Sequence, residues 1–247
     1  MSAPRKVAVL GGAGGIGQAM VAALMARGDG VAVLDLPASM AAHPQDCPSI
    51  PIDITDPGAV ARAMADLGRL WPEGADGFVN LAGWSGRIAP MAALSDEEWE
   101  SILDGNLKGA VRSTRAMLPL MREGGAVVLA ASGLAQFIRP DFGPYAMAKA
   151  GVIALTKTLA LECAPKLRVN AVGPAAVDTA FLRGGAGRGA DPDAPRSVDP
   201  AVIAAMTPLG RMATADDVVG PMMFLLGGGA SFMTGQVLWI NGGTYMP

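Results

Sequence analysis

Short apolar runs rich in β-branched residues alternate along this chain with longer segments rich in Ala, Leu and Met. Short runs of this kind are typical of buried strands, and longer segments with apolar residues at helical spacing are typical of helices. The pattern predicts strands at 6–10, 31–35, 50–54, 76–81, 126–131, 167–172 and 237–240. It predicts helices at 16–27, 57–70, within 96–121, at 143–163 and near 214–226.

The alternation of these elements, with strands that are apolar on both faces, favours a parallel sheet covered by helices on both sides. The expected fold class is α/β: a single-domain Rossmann fold over 1–247, with a doubly wound parallel sheet of about seven strands. One irregular stretch, from Phe181 to Pro200, breaks the pattern. We interpret the region at about 180–207 as a loop near the substrate, because long irregular loops in compact domains are usually functional.

Composition narrows the possible partners. The formal net charge is -3, so no basic surplus favours nucleic acid or an anionic membrane. Aromatic residues make up only 5% of the chain, which disfavours a base-stacking platform. The N-terminus has no signal-peptide pattern, and no apolar stretch has the length of a membrane span. We therefore expect a soluble cytoplasmic protein with no nucleic-acid or membrane partner.

Cysteine and histidine are scarce. Cys47 and Cys163 lie far apart and form no paired motif, which favours reduced thiols over a disulfide. His43 is the only histidine, and no potential ligands cluster around it in the sequence. We interpret His43 as a surface-loop residue and predict no metal site.

A glycine-rich segment, residues 11–17 (GGAGGIG), follows the first predicted strand and begins the first predicted helix. Such a turn lets backbone N–H groups approach a pyrophosphate at the positive end of a helix. A glycine run is also typical of an ordinary tight turn. Here the flanking strand and helix supply the context that a dinucleotide site requires.

The residue that ends the second predicted strand bears on the choice of cofactor. Asp35 lies 18 positions after Gly17, where a carboxylate can accept hydrogen bonds from the adenosine ribose and repel a 2′-phosphate. Neither Leu36 nor Gly14 offers a cation to such a phosphate. NAD is therefore predicted over NADP, although a strand-end turn residue is the alternative interpretation of Asp35.

Two residues four positions apart, Tyr145 and Lys149, share one face of a predicted helix. A free phenol has a pKa near 10 and is a poor base at neutral pH. A nearby ammonium, together with the positive charge of oxidised nicotinamide, would stabilise the phenolate. The pair could then exchange a proton with an alcohol or a carbonyl.

Three further polar residues strengthen this interpretation. Ser132 follows the predicted strand 126–131, and Asn80 lies at the end of the strand 76–81. Ligands of parallel sheets lie beyond the carboxyl ends of the strands, so Ser132 could hydrogen-bond the reacting oxygen. Asn106 interrupts a long amphipathic helix, where asparagine has mediocre propensity.

With these motifs, the chain resembles the short-chain dehydrogenase/reductase family over nearly its whole length. The resemblance implies a catalytic tetrad of Asn106, Ser132, Tyr145 and Lys149. It makes Tyr145 the general acid/base and Ser132 the group that orients and polarises the substrate oxygen. Lys149 would bind the nicotinamide ribose and lower the pKa of the tyrosine, and Asn106 would hold a water that links Lys149 to a proton relay.

The resemblance also implies contacts along the length of the cofactor. Asp53 would lie by the adenine, which Ile54 would meet through its backbone, and Thr179 would meet the nicotinamide carboxamide. The complete implied set is Gly11, Gly14, Gly15, Ile16, Gly17, Asp35, Leu36, Asp53, Ile54, Asn80, Ala82, Gly83, Tyr145, Lys149, Pro174, Val177 and Thr179.

The chain departs from the family pattern at Leu10, Leu81 and Ala175, where the family usually has Thr, Asn and Gly. These departures affect cofactor contacts and leave the tetrad intact. Trp84 follows the predicted cofactor segment and either lines the substrate pocket or packs structurally.

The expected function is NAD-dependent interconversion of a secondary alcohol and a ketone on small substrates, cyclic ones included. One alternative is a 3-oxoacyl-thioester reductase of the acyl-carrier-protein type. An alternative of another class is a cofactor-sensing module that has lost the chemistry. Helices around Asn106 and Tyr145 carry more apolar residues than one core stripe needs, and family helices pair across subunits. We therefore expect a homotetramer, with 236–247 near an interface.

Overall fold

A computed structural model describes residues 4–184 and 195–246 of the chain. Within them, seven strands form one parallel sheet in the order β3-β2-β1-β4-β5-β6-β7. The strands are β1 (Lys6–Leu10), β2 (Gly30–Asp35), β3 (Ser49–Pro51), β4 (Ala75–Asn80), β5 (Met121–Ala130), β6 (Arg168–Pro174) and β7 (Val237–Ile240). The predicted α/β class and Rossmann fold are confirmed.

The helices that cover the sheet include two that the hydrophobic pattern does not predict. The α-helices of the described residues are α1 (Gly15–Ala26), α2 (Pro37–Ala42), α3 (Pro57–Leu70), α4 (Asp96–Leu103), α5 (Gly109–Met117), α6 (Gly143–Cys163), α7 (Pro200–Met206) and α8 (Ala215–Leu226). The unpredicted helices, α2 and α7, have 6 and 7 residues. Elements this short show too little of a helical period to be recognised, although each begins with a proline suited to a first turn.

The sheet separates two apolar cores, and β1 illustrates how its residues are divided between them. Val7 and Val9 pack with apolar residues of α1 and α8 on one face. Ala8 and Leu10 pack with residues of α3, α5 and α6 on the other face. Successive side chains of a strand point to opposite faces, so a strand buried on both faces has no polar position.

The strand order reverses beside β1, and this reversal positions the site. Leu10 is in register with Leu34 of β2 on one side and with Asn80 of β4 on the other. The residues that follow these strands therefore meet at one edge of the sheet. In doubly wound sheets, ligands lie at this edge, beyond the carboxyl ends of the strands.

The helix predicted within 96–121 is interrupted around Asn106. A π-helical stretch, Asp104–Lys108, separates α4 from α5, and the segment that begins at Met121 is already β5. The Nδ2 of Asn106 donates to the carbonyl of Ile102 at 2.9 Å, which competes with the regular helical hydrogen bonds. Such π-helical turns occur frequently at functional sites.

The stretch from Phe181 to Pro200 is irregular only in part. It overlaps the 3₁₀ turn Ala180–Arg183, and it ends at α7, where the carboxylate of Asp199 accepts a hydrogen bond from the Ala201 N–H at 2.8 Å. The middle of the predicted substrate loop at 180–207, residues 185–194, lies outside the described residues.

Candidate active site

A cavity of about 600 Å³ lies along the carboxyl edge of the sheet. Ser132 and all of the proposed cofactor residues except Asp53 and Asn80 line it. The sequence therefore predicts most of the residues that the fold brings together here. Their assignment as cofactor contacts remains a prediction.

The glycine turn between β1 and α1 is built for close packing of backbone. Gly11 has a φ of +81°, a backbone angle that residues other than glycine rarely adopt. A Cβ on Gly17 would overlap the Gly11 carbonyl, and one on Gly15 would lie 2.7 Å from the Thr179 Cβ. The first turn of α1 has neither a side-chain cap nor an acidic residue, so its N–H groups suit an anion such as a pyrophosphate.

Asp35 is tied to the glycine turn. Its Oδ2 accepts from the Ala13 N–H at 2.9 Å, and its Oδ1 accepts from the Leu36 N–H at 2.7 Å. Burial raises the pKa of this carboxyl, while these backbone hydrogen bonds oppose the shift. The side chain lines the cavity, and carboxylate oxygens have further lone pairs for the hydroxyls of a ribose.

Two residues of this end of the cavity were not predicted. Ser39 on α2 is buried and hydrogen-bonds Asp35, and His43 at the end of α2 is half-buried and attracts the same carboxylate. Both line the cavity. His43 is a half-buried residue of the bend after α2, which agrees with its interpretation as a surface-loop residue, but sequence reasoning missed its closeness to Asp35. The proline before these residues was the signal that could have revealed the helix.

Asp53 and Asn80 hold the surrounding backbone instead of lining the cavity. Asp53 Oδ1 accepts from the backbone N–H of Thr55 at 2.9 Å and from its hydroxyl at 2.7 Å. Asn80 is buried, donates to Ser113 Oγ at 3.1 Å and accepts from the Ala82 N–H at 3.2 Å. In these positions they shape the turns that carry Ile54 and Ala82, which do line the cavity.

Tyr145 and Lys149 both point from α6 into the cavity wall. Lys149 Nζ lies 5.6 Å from the centroid of the Tyr145 ring and donates to the Ala130 carbonyl at 2.9 Å. Lys149 is 4% exposed and Tyr145 is 8% exposed. The predicted pairing on one helix face is therefore present in the structure.

The electrostatics of the pair differ from the expectation. Burial raises the pKa of Tyr145 to about 12, and a hydrogen bond with Ser132 opposes that shift. Burial also lowers the pKa of Lys149 to about 8. The expected lowering of the tyrosine pKa is thus not present in the protein alone, because desolvation of the phenolate dominates.

Ser132 and Asn106 approach this pair from two other elements. Ser132 caps the 3₁₀ turn Gly133–Ala135, and its Oγ accepts from the Leu134 N–H at 3.2 Å. Asn106 is fully buried, and its Nδ2 also donates to the Trp84 carbonyl at 2.7 Å. Its Oδ1 is buried with no hydrogen-bond partner among the described residues, so this atom is available to a water or another donor.

Aromatic rings form the other part of the cavity wall. Trp84 lines the cavity and lies against Gly105, where no Cβ would fit. Both interpretations of Trp84, pocket lining and packing, are therefore true. Phe181 lies 5.9 Å from the Tyr145 ring, and Tyr245, which sequence reasoning missed, also lines the cavity.

The described residues hold no group of three or more His, Cys, Asp or Glu that could bind a metal ion. Both cysteines are free and half-buried. In the same residues, no helix combines the length and apolar character that crossing a bilayer would need.

Comparisons with known proteins match this chain to dehydrogenases and reductases. The family model described as Enoyl-(Acyl carrier protein) reductase matches residues 11–245. The uncharacterized short-chain type dehydrogenase/reductase y4vI of Sinorhizobium fredii is 32% identical over 245 residues, which cover 97% of this chain and 43% of that longer protein. The 3-oxoacyl-[acyl-carrier-protein] reductase FabG of Salmonella typhimurium is 31% identical over 255 residues, which cover 100% of both chains.

A solved structure matches over almost the same extent. The ligand-free aldohexose dehydrogenase AldT of Thermoplasma acidophilum superposes with a TM-score of 0.85 at 27% identity, and the match covers 99% of this chain and 96% of that one. The matched region includes both the glycine turn and the Tyr145–Lys149 pair.

Proposed function

The chain belongs to the short-chain dehydrogenase/reductase family, and from this premise we propose that it is an NAD-dependent oxidoreductase that interconverts a secondary alcohol and a ketone. Its substrates are small alcohols and ketones, and they include cyclic ones. The observation that carries the proposal is the burial of Tyr145 and Lys149 in one cavity with Ser132 and the glycine turn.

The side chains of the cavity divide the chemistry among them. In alcohol oxidation, Ser132 donates a hydrogen bond to the substrate oxygen, and the phenolate form of Tyr145 accepts the hydroxyl proton while the carbon that carries this hydroxyl loses a hydride. In ketone reduction, Tyr145 returns that proton to the oxygen. When bound, oxidised nicotinamide would accept this hydride, and its positive charge would favour the phenolate form of Tyr145. Lys149, which donates to the Ala130 carbonyl, would hydrogen-bond the nicotinamide ribose.

The preference for NAD rests on Asp35. Its carboxylate lines the end of the cavity beside β2, where it would accept from ribose hydroxyls and repel a 2′-phosphate. The glycine turn and the uncapped start of α1 fit a pyrophosphate.

A 3-oxoacyl-thioester reductase is the second candidate. The full-length relative from Salmonella typhimurium, named as a 3-oxoacyl-[acyl-carrier-protein] reductase, supports it. The cofactor-sensing alternative is weaker, because a protein that only binds a nucleotide has no need of a buried Lys149 beside Tyr145. Cytoplasmic location and the homotetramer stay predictions; Leu161, 82% exposed on α6, is one apolar residue that a subunit contact would cover.

A substrate panel tests the proposal directly. Secondary alcohols, ketones and a 3-oxoacyl thioester are offered with NAD(H) or NADP(H), and the absorbance of the reduced nicotinamide is followed. We expect turnover of an alcohol with NAD. Tyr145→Phe, which removes only the hydroxyl, is expected to lower kcat by roughly 10²–10⁴-fold, because general acid–base catalysis contributes that much. The dissociation constant of NADH, measured by fluorescence titration, should change far less than kcat, because the glycine turn and Lys149 keep their cofactor contacts.

Two outcomes would contradict this assignment. Normal turnover by Tyr145→Phe would show that the tyrosine hydroxyl takes no part in the reaction, and a different mechanism would be required. Efficient reduction of the thioester without turnover of small alcohols would replace the proposed function with the second candidate.

A further inference from the structure

The segment 133–142, which leads from the end of β5 to the start of α6, carries part of the cavity wall. Two contacts hold this segment in place. The ring of Phe137 stacks on Tyr245, with centroids 5.6 Å apart and planes 5° from parallel. The Asp141 carbonyl accepts a hydrogen bond from the Ala89 N–H at 3.2 Å. The backbone between these two contacts is therefore fixed relative to the cavity.

Arg139 lies between these contacts, and it lines the cavity. It is half-buried, yet no other described residue forms a hydrogen bond or an ion pair with it. Asp141, the nearest carboxylate along the chain, is exposed. A guanidinium has five N–H donors, and partial burial removes water from some of them. These donors are therefore available to a ligand in the cavity.

The other charged groups of the cavity wall already have partners. Arg211 and Asp217 pair with each other through two hydrogen bonds, at 2.6 and 2.7 Å. Lys149 donates to a backbone carbonyl, and Asp35 accepts from two backbone N–H groups at the cofactor end. Among the described residues that line the cavity, Arg139 is thus the one arginine or lysine without a protein partner.

The surroundings of Arg139 along the segment favour an anion on an otherwise apolar molecule. The other residues of the segment that line the cavity carry no polar side chain; they are Gly133, Leu134, Phe137 and Phe142. Attraction between opposite charges is stronger beside apolar groups than in water. A planar guanidinium also matches a carboxylate through two parallel hydrogen bonds. A carboxylate is therefore the group that this part of the wall fits.

We propose that Arg139 binds a carboxylate of the substrate while the hydroxyl that reacts meets Ser132 and Tyr145. The substrates are therefore secondary hydroxy acids and the corresponding keto acids, with an apolar body such as a ring between the two polar groups. This inference rests on the proposed function, since it assigns the substrate class of the same site. It adds a selection for negative charge that Ser132 and Tyr145 do not supply.

Hydroxycyclohexanecarboxylates and their carboxamides isolate the charge, because the two groups have similar size and shape and only the carboxylate is ionised at neutral pH. The readout is kcat/KM with NAD, and each ring position of the hydroxyl and each stereoisomer is measured separately. We expect the unmodified enzyme to prefer the acid in at least one acid–amide pair by about 10-fold or more. Arg139→Gln should lower that acid/amide ratio by roughly 10–100-fold, the range of hydrogen bonds to a charged group.

Two further variants separate a specific contact from a general change of charge. Arg139→Lys keeps the charge but loses the paired geometry of the guanidinium, so it should retain part of the acid/amide ratio. Arg87→Gln removes the same charge from an exposed arginine that pairs with Glu98 and does not line the cavity, so it should leave the ratio unchanged. An equal fall of the ratio in Arg87→Gln and Arg139→Gln would overturn the role of Arg139. The absence of any acid preference in the unmodified enzyme would overturn it too.

A binding measurement separates this inference from the proposed function. Cyclohexanecarboxylate has the carboxylate but no hydroxyl to oxidise, so its binding does not depend on turnover. Calorimetric titration of the enzyme–NADH complex with this compound is expected to show weaker binding to Arg139→Gln. Binding that depends on Arg139 without turnover of any alcohol would refute the oxidoreductase assignment and retain the carboxylate site. Turnover with an acid/amide ratio that Arg139→Gln leaves unchanged would do the reverse, and the absence of both would refute both.

Discussion

The two ends of the cavity are built in different ways. At the cofactor end, the critical features are backbone atoms and missing side chains, at Gly11, Gly15 and Gly17, all within one short turn. At the substrate end, the wall is made of large side chains from segments far apart in the chain, among them Trp84 and Tyr245. A site made of backbone tolerates almost no added atom, whereas a site made of side chains can change its shape one residue at a time.

This difference predicts opposite responses to mutation. Changes at the cofactor end should damage the fold and cofactor binding together, since the same atoms serve both. Changes at the catalytic and substrate end should alter turnover while leaving or even improving stability, because polar groups are buried there for chemistry.

Gly17→Ala adds a single methyl group and should be the most damaging of these substitutions. Its Cβ would overlap the carbonyl of Gly11, which is backbone and cannot rotate away. Overpacking of this kind costs about 3 kcal/mol or more, which lowers the melting temperature of a chain this size by roughly 10 °C. We also expect NADH binding to be lost in a fluorescence titration, because the turn would have to open.

Gly68→Ala is the matched control. Gly68 also lies in a helix, α3, and its new Cβ would meet only the Leu120 Cδ2, at an ordinary contact distance of 3.4 Å. Alanine is a better helix former, so this variant should gain roughly 0.5–1 kcal/mol and bind NADH normally. Equal changes in melting temperature and in NADH affinity in the two variants would contradict the requirement for glycine at position 17.

Lys149→Met tests the opposite end of the contrast. We expect kcat to fall by roughly 10²–10⁴-fold, as for the loss of other acid–base groups, while the protein becomes more stable at pH 7. The pKa of Lys149 is lowered from 10.5 to about 8 by burial. A shift of that size means that charging the buried amine costs up to about 3 kcal/mol.

The lowered pKa of Lys149 also predicts how the stability advantage of Lys149→Met changes with pH. Below pH 8, the lysine is protonated in both the folded and the unfolded state, and the full penalty is present. Between pH 8 and 10.5, the unfolded state binds more protons, so the stability of the unmodified enzyme rises with pH. The advantage of Lys149→Met should therefore shrink over that range in urea titrations. An advantage that is constant from pH 7 to 9.5 would show that the amine is not destabilised by burial.

Sequence reasoning succeeded where the signal is local. Buried strands and the glycine turn are encoded in consecutive residues, and the Tyr145–Lys149 spacing fixes a shared helix face before any tertiary contact forms. The interruption at Asn106 was also visible, although its π-helical form depends on hydrogen bonds to Ile102 and Trp84.

The failures concern features that arise only from tertiary contacts. His43 lines the cavity directly after the short helix α2, and no period reveals so short a helix. Tyr245 belongs to the site because a polar turn brings the C-terminal segment back over Gly133. The raised pKa of Tyr145 reflects its total burial, which depends on every element around it.

Asp35→Ala is expected to have the smallest effect, because it changes a side chain at the end that otherwise depends on backbone. Removing the carboxylate should raise the dissociation constant of NADH and relax the rejection of NADPH, so that the NADPH/NADH ratio of dissociation constants falls by roughly 10–100-fold, the range of a hydrogen bond to a charged group. Asp53→Ala is the control, because that carboxylate accepts from Thr55 and does not line the cavity; it should leave the ratio unchanged. Equal ratios for both variants would mean that Asp35 only shapes the turn through Ala13, and that discrimination between the cofactors lies elsewhere along the cavity.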